Sequence, residues 1–429
     1  MKKQRTAREK RDLLQNITIV LLALSAAFLM IQSQFYNTGL SRLFHFSDPV
    51  PVVTNESAVR QPVLAAPVRV AVSGTYGRFG DLCATTDSSA FEPLGTLLRE
   101  VLGSAGNPVT CSELDFLSAL SEGISIYYDF GTPLPLSVLA GLVGADMPRE
   151  PLFARRLVVS NQGSSRVSLF LWDNDYTCLR CTTALTRSSL LDIIRKFEPG
   201  SATFAMDGTG NEYAAVSPLS LFPSEEAMPQ PPRLFMMAGL PNLNQVLTTL
   251  NFNPHTNLRY MEANGTEVIV EGERTLRIRS DGTITYQSGG KPVLSINNFS
   301  GNSPSPWEAA VGGSGLLHDI LGDSTGDAKF CLHSIQQDGP KTVLQFDYQV
   351  AGLPVHLSNN APAAEITLSH DIITALTLRF RQYTDSGQPS LLLPLQQALA
   401  VAADSPGKEL ILGYVDAGED VLEAQWLSE

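Results

Sequence analysis

The cysteine pair Cys178 and Cys181 has the residue types and spacing most suggestive of a chemical site. A Cys-x-x-Cys pair at the amino end of a helix has a lowered thiol pKa and can act as a redox dithiol. A helix is predicted from Ser188, but the motif follows an apparent hairpin ending at Trp172. A zinc site needs four ligands, and the sequence offers no second pair. Structural thiols are therefore the favoured interpretation, and a redox dithiol is the alternative.

The other motifs do not assemble a catalytic set. The six histidines are scattered without a His-x-x-x-His pair, and Gly312–Gly315 lacks the spacing of a nucleophile elbow. Gly74–Gly80 has the spacing Gly-x-x-Gly-x-x-Gly, which favours tight turns over a phosphate cradle. The carboxylate pairs Glu225-Glu226 and Glu271/Glu273 are expected on solvated faces. We therefore predict a non-enzymatic protein without a catalytic residue, a metal site or a cofactor.

Composition describes a folded and acidic protein. The chain has 429 residues, 43% of them apolar and 17% charged, and a net charge of −13. The first twelve residues carry +4, so the remainder carries −17, which argues against binding nucleic acid or anionic lipid by bulk charge. Five cysteines are an odd set that allows one or two disulfides. The fold is not expected to depend on them.

Residues 13–31 contain no formal charge and follow six basic side chains within the first twelve residues. A helix of this length is roughly 28 Å long, which matches the hydrocarbon core of a bilayer. Basic residues resist translocation, so residues 1–12 are predicted to be a cytoplasmic tail and residues 13–33 a transmembrane helix. Everything that follows is predicted to be an extracytoplasmic domain of a single-pass membrane protein.

A cleaved signal peptide and a lipoprotein signal are the alternatives to this anchor. A signal peptide has a shorter apolar core and small residues at its cleavage site, whereas bulky Phe35 and Tyr36 follow here. These two rings suit an aromatic anchor at the membrane interface. No cysteine directly follows the apolar run, which disfavours a lipoprotein.

One face of the predicted membrane helix carries polar and small residues that can contact a partner helix. At 100° per residue, a face about 80° wide contains Thr18, Leu22, Ser25, Leu29 and Gln32. Such residues hydrogen-bond or pack closely between membrane helices. Ala23 and Ala27 lie on the opposite face, and a featureless anchor is the alternative interpretation.

The predicted ectodomain is an α+β fold of antiparallel sheets with packed helices. A stalk at 34–61 precedes an N-terminal domain at 62–225, a middle module at 233–298 and a C-terminal module at 305–429. The last two share the order of one helix followed by antiparallel strands, which suggests a duplicated module. The periodicity predicts helices at 91–102, 136–142, 188–197, 242–250, 307–321 and 391–402. A closing hairpin is predicted to pair 410–415 with 421–426.

Several segments resemble the YycH/YycI proteins of Gram-positive bacteria, together with the topology of the amino terminus. The segments are Glu271–Ile278, Asp281–Tyr286, Phe346–Val355, Leu378–Tyr383, Leu412–Val415 and Leu422–Trp426. The resemblance covers roughly 233–429, and residues 62–220 match in position the extra N-terminal domain of the longer YycH type.

The resemblance implies a regulator that acts by binding in the cell membrane. Its members are non-enzymatic and modulate a WalK-type sensor histidine kinase through membrane-helix and extracytoplasmic contacts. It therefore implies this kinase as a partner, with a paralogous YycH/YycI-type regulator as a second one. Two rival hypotheses are an envelope thiol-redox enzyme that uses Cys178 and Cys181, and an envelope-assembly module with a groove between its α+β units.

Overall fold

Apolar residues spaced by two, or by three and four, determine which segments of the chain become strands and which become helices. The computed structural model describes residues 52–53, 65–85, 88, 91–146, 152–162, 165–173, 177–208, 210–255, 257–290, 292–296, 303–404 and 406–429. Within them lie seven α-helices and several antiparallel sheets, which confirms the predicted α+β class. Residues 51–429 cluster as one unit. The predicted division into three modules stays a prediction.

The helices follow their apolar periodicity and their capping residues. They are α1 (Phe91–Ser104), α2 (Glu113–Ser121), α3 (Leu136–Val143), α4 (Arg187–Ile194), α5 (Leu243–Thr249), α6 (Pro306–Leu321) and α7 (Leu395–Ala402). Helix α6 begins at a capping box in which Ser305 and Glu308 satisfy each other's backbone N–H groups, with Pro306 at the first position. Helix α2 begins at a similar box formed by Ser112 and Asp115.

The first half of the chain forms a seven-stranded antiparallel sheet in the order β3-β2-β5-β6-β7-β8-β4. The strands up to this point are β1 (Val52–Val53), β2 (Arg69–Gly74), β3 (Gly77–Asp81), β4 (Val109–Cys111), β5 (Ile124–Pro135), β6 (Phe153–Asn161), β7 (Arg166–Trp172), β8 (Cys178–Thr186), β9 (Ala202–Phe204) and β10 (Leu221–Pro223). The glycine-rich segment Gly74–Gly80 makes the turn of the β2–β3 hairpin, as its spacing predicts.

The second half, together with β1, forms a larger sheet of thirteen strands, and it also forms a small one of three. Its strands are β11 (Pro232–Met237), β12 (Leu258–Met261), β13 (Glu267–Glu271), β14 (Arg274–Ile278), β15 (Thr283–Gln287), β16 (Ser295–Ile296), β17 (Lys329–Asp338), β18 (Lys341–Val350), β19 (Leu353–Leu357), β20 (Ala364–Ser369), β21 (Ile372–Arg379), β22 (Gln382–Pro389), β23 (Leu410–Asp416), β24 (Val421–Leu422) and β25 (Gln425–Ser428). The main path of the large sheet is β12-β13-β14-β15-β21-β20-β18-β19-β23-β25, and the three-stranded sheet is β22-β11-β24.

The predicted closing hairpin forms, but its second strand is shifted toward the end of the chain. Strand β23 pairs with β25, so that Leu410 lies opposite Ser428. The short strand β24 between them instead joins β11 in the three-stranded sheet, where Leu422 pairs with Leu234. The alternation of apolar residues at 421–426 predicts a strand, but it does not show that the chain changes sheets within it.

Glycines in α6 let this helix lie close against the large sheet. A Cβ added to Gly313 would lie 2.7 Å from the Leu344 side chain, and one added to Gly312 would lie 2.8 Å from Ile296. The glycine run that fails as a nucleophile elbow therefore has a packing role. On another side of α6, Trp307 lies against Gly141 of α3, which connects the first half of the core to the second.

Candidate functional site

The predicted partner-binding face of the membrane helix lies outside the described residues. This holds for Thr18, Leu22, Ser25, Leu29 and Gln32, and for the tail and the membrane segment as a whole. Within the described ranges, no helix is both long enough and apolar enough to cross a bilayer.

Cys178 and Cys181 do not form a dithiol. Both lie on β8, where residues three apart point to opposite faces. Cys178 forms a disulfide with its direct cross-strand neighbour Cys111, at a Cα–Cα distance of 5.2 Å, and Cys181 is buried on the other side of the sheet. The alternative of a redox pair is therefore wrong, because the helix amino terminus that it requires is a strand.

The thiols of Cys83 and Cys331 are poor nucleophiles. Burial raises the pKa of each to about 12, so both stay protonated at neutral pH. In the part of the chain that the structure describes, no group of three or more His, Cys, Asp or Glu side chains is arranged to hold a metal ion.

Five buried charged side chains meet between the first sheet and the segment that enters β23. Cross-strand register brings three of them together, since Asp129 of β5 lies opposite Arg69 of β2 on one side and Arg156 of β6 on the other. The regular pairing of β5 with β6 is interrupted after Asp129, and there Arg155 also reaches this carboxylate, with Nε 3.0 Å from Oδ1. We call Arg69, Asp129, Arg155, Arg156 and Glu409 the charged cluster.

Glu409 connects the charged cluster to the end of the chain. Its Oε2 accepts hydrogen bonds from Arg155 Nη2 and Arg156 Nη2, each at 2.7 Å. Its other oxygen, Oε1, lies 2.9 Å from Arg69 Nη2. The backbone of Glu409 also exchanges two hydrogen bonds with Glu429. One carboxylate thus contacts three guanidinium groups of the first sheet.

The charged cluster is removed from water, and its opposite charges hold one another in the ionised form. Asp129 is fully buried, and Arg69 and Glu409 are 3% and 4% exposed. Burial opposes ionisation of Asp129, but Arg155, Arg69 and Arg156 together hold its pKa well below the usual range. Burial likewise opposes the charge on Arg69, but Glu409 and Asp129 raise its pKa above the ordinary value. Three guanidinium groups and two carboxylates leave one net positive charge.

The hydrogen bonding of the charged cluster is incomplete. Nε and Nη1 of Arg69 and Nε of Arg156 have no hydrogen-bond partner among the described residues. Buried cations without full hydrogen bonding are costly, and they are commonly explained by a ligand, an ion or a water. Arg69 and Arg155 belong to the wall of a cavity, which is where such a group would enter.

The cavity has a volume of about 870 Å³ and lies between the first sheet and the C-terminal strands. One wall contains residues 130–132, in the irregular part of β5, together with Arg69 and Arg155. The opposite wall is a polar strip of alternate residues on neighbouring strands of the large sheet. This strip consists of Cys331, His333, Gln345, Asp347, Gln349 and His356. A strand with polar residues on an enclosed face indicates a binding surface more than a core.

A β-bulge directs His333 into the cavity. The register of β17 and β18 shifts between Leu332 and Ser334, which leaves His333 as the extra residue. Its Nδ1 lies 2.7 Å from Oδ2 of Asp347. This hydrogen bond, together with the carboxylate charge, raises the pKa of His333 above its ordinary value despite partial burial. Lys408 lies on the rim, and His356 Nε2 lies 3.2 Å from Glu429 Oε1.

Sequence reasoning missed the charged cluster and the cavity. The signal that could have found them is a charge inside an otherwise apolar strand, as with Asp129 within Ile124–Phe130 and Arg155-Arg156 before Leu157. Buried charges are rare unless they are paired, so two such strands imply each other as partners. Glu409 carries no comparable signal, because it lies in a polar loop.

Comparison with known proteins gives one informative result, and it concerns the fold. No protein-family model matches this chain, and no curated protein sequence matches it. Among solved structures, the crystal structure of YycH from Bacillus subtilis matches with a TM-score of 0.53 and 13% sequence identity. The match covers 86% of this chain and 94% of that chain. The predicted resemblance is therefore confirmed at the level of the fold: this chain is similar in structure to YycH.

Proposed function

We propose that this protein is a non-enzymatic, extracytoplasmic regulator of a sensor histidine kinase of the cell envelope, acting through its membrane helix and its ectodomain. The observation that carries the proposal is the fold similarity to YycH over nearly the whole length of both chains. The kinase as partner comes from the resemblance of the C-terminal segments and from the membrane topology that the amino terminus predicts.

The thiol chemistry of the described residues supports binding over catalysis. The rival redox enzyme requires a reactive Cys178/Cys181 pair, but Cys178 is bonded to Cys111. The rival envelope-assembly module requires a groove lined by aromatic rings between the middle and C-terminal units. The cavity instead lies against the first sheet, and its lining contains only two such rings among the described residues, Phe130 and Tyr348.

An exposed edge strand offers a contact surface for the ectodomain. Strand β12 ends the path of the large sheet, so one side of its backbone has no neighbouring strand in the part of the chain described. Three of its four side chains, Leu258, Tyr260 and Met261, are apolar and open to solvent, with Leu258 at 64% and Met261 at 63% exposure. Edge strands of this kind pair readily with an extended segment of another protein. We assign it to the sensor domain of the kinase.

Co-purification from membranes tests the membrane-helix contact. The full-length chain and a sensor kinase from the same cells are co-expressed, and the recovered kinase is measured. Thr18→Leu/Ser25→Leu is expected to reduce recovery because it removes polar contacts from the predicted face. The matched control Ala23→Leu/Ala27→Leu alters the opposite face and is expected to leave recovery unchanged. Equal losses in both variants would contradict a specific face.

The same assay tests the edge strand. Leu258→Lys/Met261→Lys is expected to lower recovery of the kinase without lowering the stability of the chain, because both residues are exposed. Val109→Lys is the control, since Val109 is 65% exposed on β4 at the edge of the first sheet. Kinase association and signalling that survive both a polyleucine replacement of 13–31 and deletion of the ectodomain would refute the proposed function.

A further inference from the structure

The cavity between the first sheet and the C-terminal strands combines three features of a ligand site. Its volume of about 870 Å³ falls within the usual range for small-molecule pockets. Its lining mixes apolar side chains with polar groups that converge from two separate sheets. The guanidinium group of Arg69, which is 97% buried, borders it, and two of its nitrogens have no hydrogen-bond partner in the part of the chain that the structure describes.

The charges around the cavity favour an anionic group. The charged cluster behind one wall has one net positive charge, and Lys408 adds a second at the rim. Two further carboxylates belong to the lining, and each is engaged by a histidine: Asp347 by His333 and Glu429 by His356. The charges of the cluster, Lys408, Asp347 and Glu429 therefore sum to about zero, and a protonated His333 makes the site positive. This contrasts with a chain whose net charge is −13.

We propose that this cavity binds a small ligand through an oxyanion group, a carboxylate or a phosphate, which lies between the guanidinium wall and the His333 bulge. Guanidinium groups bind both kinds of oxyanion through paired N–H donors. The remainder of the ligand lies along the polar strip, where amide groups supply neutral hydrogen bonds. A ligand held this way contacts both sheets at once. Binding of such a ligand does not require the kinase.

Protonation of histidine strengthens this site. The charged groups that face His333 across the cavity and along its own sheet are Asp347, Glu429, Lys408, Arg69 and Arg155, and the imidazole of His356 lies among them. A protonated imidazole adds a donor and a positive charge for the oxyanion, whereas the neutral form adds only a hydrogen bond. Binding is therefore expected to weaken by about fivefold between about pH 6 and about pH 8.

Ligand binding to the purified full-length chain in detergent tests the proposal. Inorganic phosphate and citrate are titrated separately, with sodium chloride at equal ionic strength as the reference, and thermal unfolding is recorded at each concentration. A ligand that binds the folded state raises the unfolding temperature in a saturable manner. A saturable rise with phosphate alone assigns a phosphate ligand, and one with citrate alone assigns a carboxylate ligand.

Partly exposed cavity residues provide variants that keep the fold, unlike replacements of Arg69. His333→Asn and Lys408→Gln are each expected to weaken binding of the effective probe by about fivefold. Their matched controls are His255→Asn and Lys341→Gln, which are exposed and lie outside the cavity lining. Controls that bind like the unaltered chain support the proposal. It is overturned if neither probe gives a saturable rise, or if cavity and control variants bind alike.

Discussion

Replacing Glu409 with glutamine tests whether the charged cluster holds the two halves of the fold together. The substitution keeps the size of the side chain and removes its charge. Glu409 is 4% exposed and contacts guanidinium groups of three residues, Arg69, Arg155 and Arg156, at 2.7–2.9 Å. In the variant, three buried guanidinium groups surround one carboxylate, so the net charge of the charged cluster rises from +1 to +2.

The size of the effect follows from burial. An exposed ion pair contributes about 0–1 kcal/mol because water and salt screen it. Removing one partner of a buried pair leaves an uncompensated charge and costs about 3–5 kcal/mol. Glu409→Gln therefore should lower the free energy of unfolding by about 3–5 kcal/mol. Its companion Arg156→Met/Glu409→Leu removes one charge of each sign and should cost less than the single variant.

Urea unfolding of the full-length chain, followed by tryptophan fluorescence and circular dichroism, measures these differences. Trp172 is a suitable probe because Arg156 lies 5.6 Å from its ring centroid. The matched control is Glu423→Gln, which breaks an ion pair with Arg233 whose side chains are 34% and 46% exposed. It should change stability by less than about 1 kcal/mol. A loss for Glu409→Gln no larger than this control would refute the reasoning, as would a double variant that is less stable than the single one.

Three further predictions concern the disulfide, His333 and a helix contact. Cys111→Ser removes the disulfide that closes a loop of 67 residues to Cys178, and it should lower the free energy of unfolding in urea by about 4 kcal/mol. A reductant should lower the free energy of unfolding of the unaltered chain by the same amount. His333→Asn should lower the free energy of unfolding by less than about 1 kcal/mol at about pH 5.5 and leave it unchanged at about pH 8.5. The reason is that a group whose pKa is raised in the folded state adds stability only while it is protonated. Equal shifts of the urea midpoint at both pH values would contradict this. Gly141→Ala should lower the melting temperature, because its Cβ would overlap the indole ring of Trp307. Such overpacking should lower the free energy of unfolding by about 1–3 kcal/mol. Gly103→Ala, in an open part of another helix, should instead stabilise by up to about 1 kcal/mol.

Local patterns were sufficient to predict most elements of this fold. The spacing of Phe91, Leu94 and Leu98 predicts α1, and the turns at Gly272 and Gly282 predict the meander β13-β14-β15. These elements are encoded by residues that are neighbours in the chain. The partner of a strand is not encoded in this way, which is why the pairing of β24 with β11 was missed.

The charged cluster and the cavity depend on contacts between distant residues. Arg155 and Glu409 are separated by 254 positions, and nothing in the segment around Glu409 indicates that its side chain is buried. The cysteine motif shows the opposite error, because its spacing suggests chemistry that its secondary structure forbids. Cys178 is three residues from Cys181, but on a strand its neighbour in space is Cys111, 67 residues away.

The charged cluster lies beside the cavity, and this position gives a physical reason for burying charges that are costly in free energy. Apolar side chains of similar volume would hold the sheets together at least as well, since buried ion pairs rarely add stability over such replacements. An apolar interface, however, would offer nothing to an anionic group in the adjoining cavity. A charged cluster with one excess positive charge and unfilled donors is stabilised further when that group arrives. If Glu409→Gln destabilises the chain and citrate or phosphate restores part of the loss, the same charges both join the two sheets and bind the ligand.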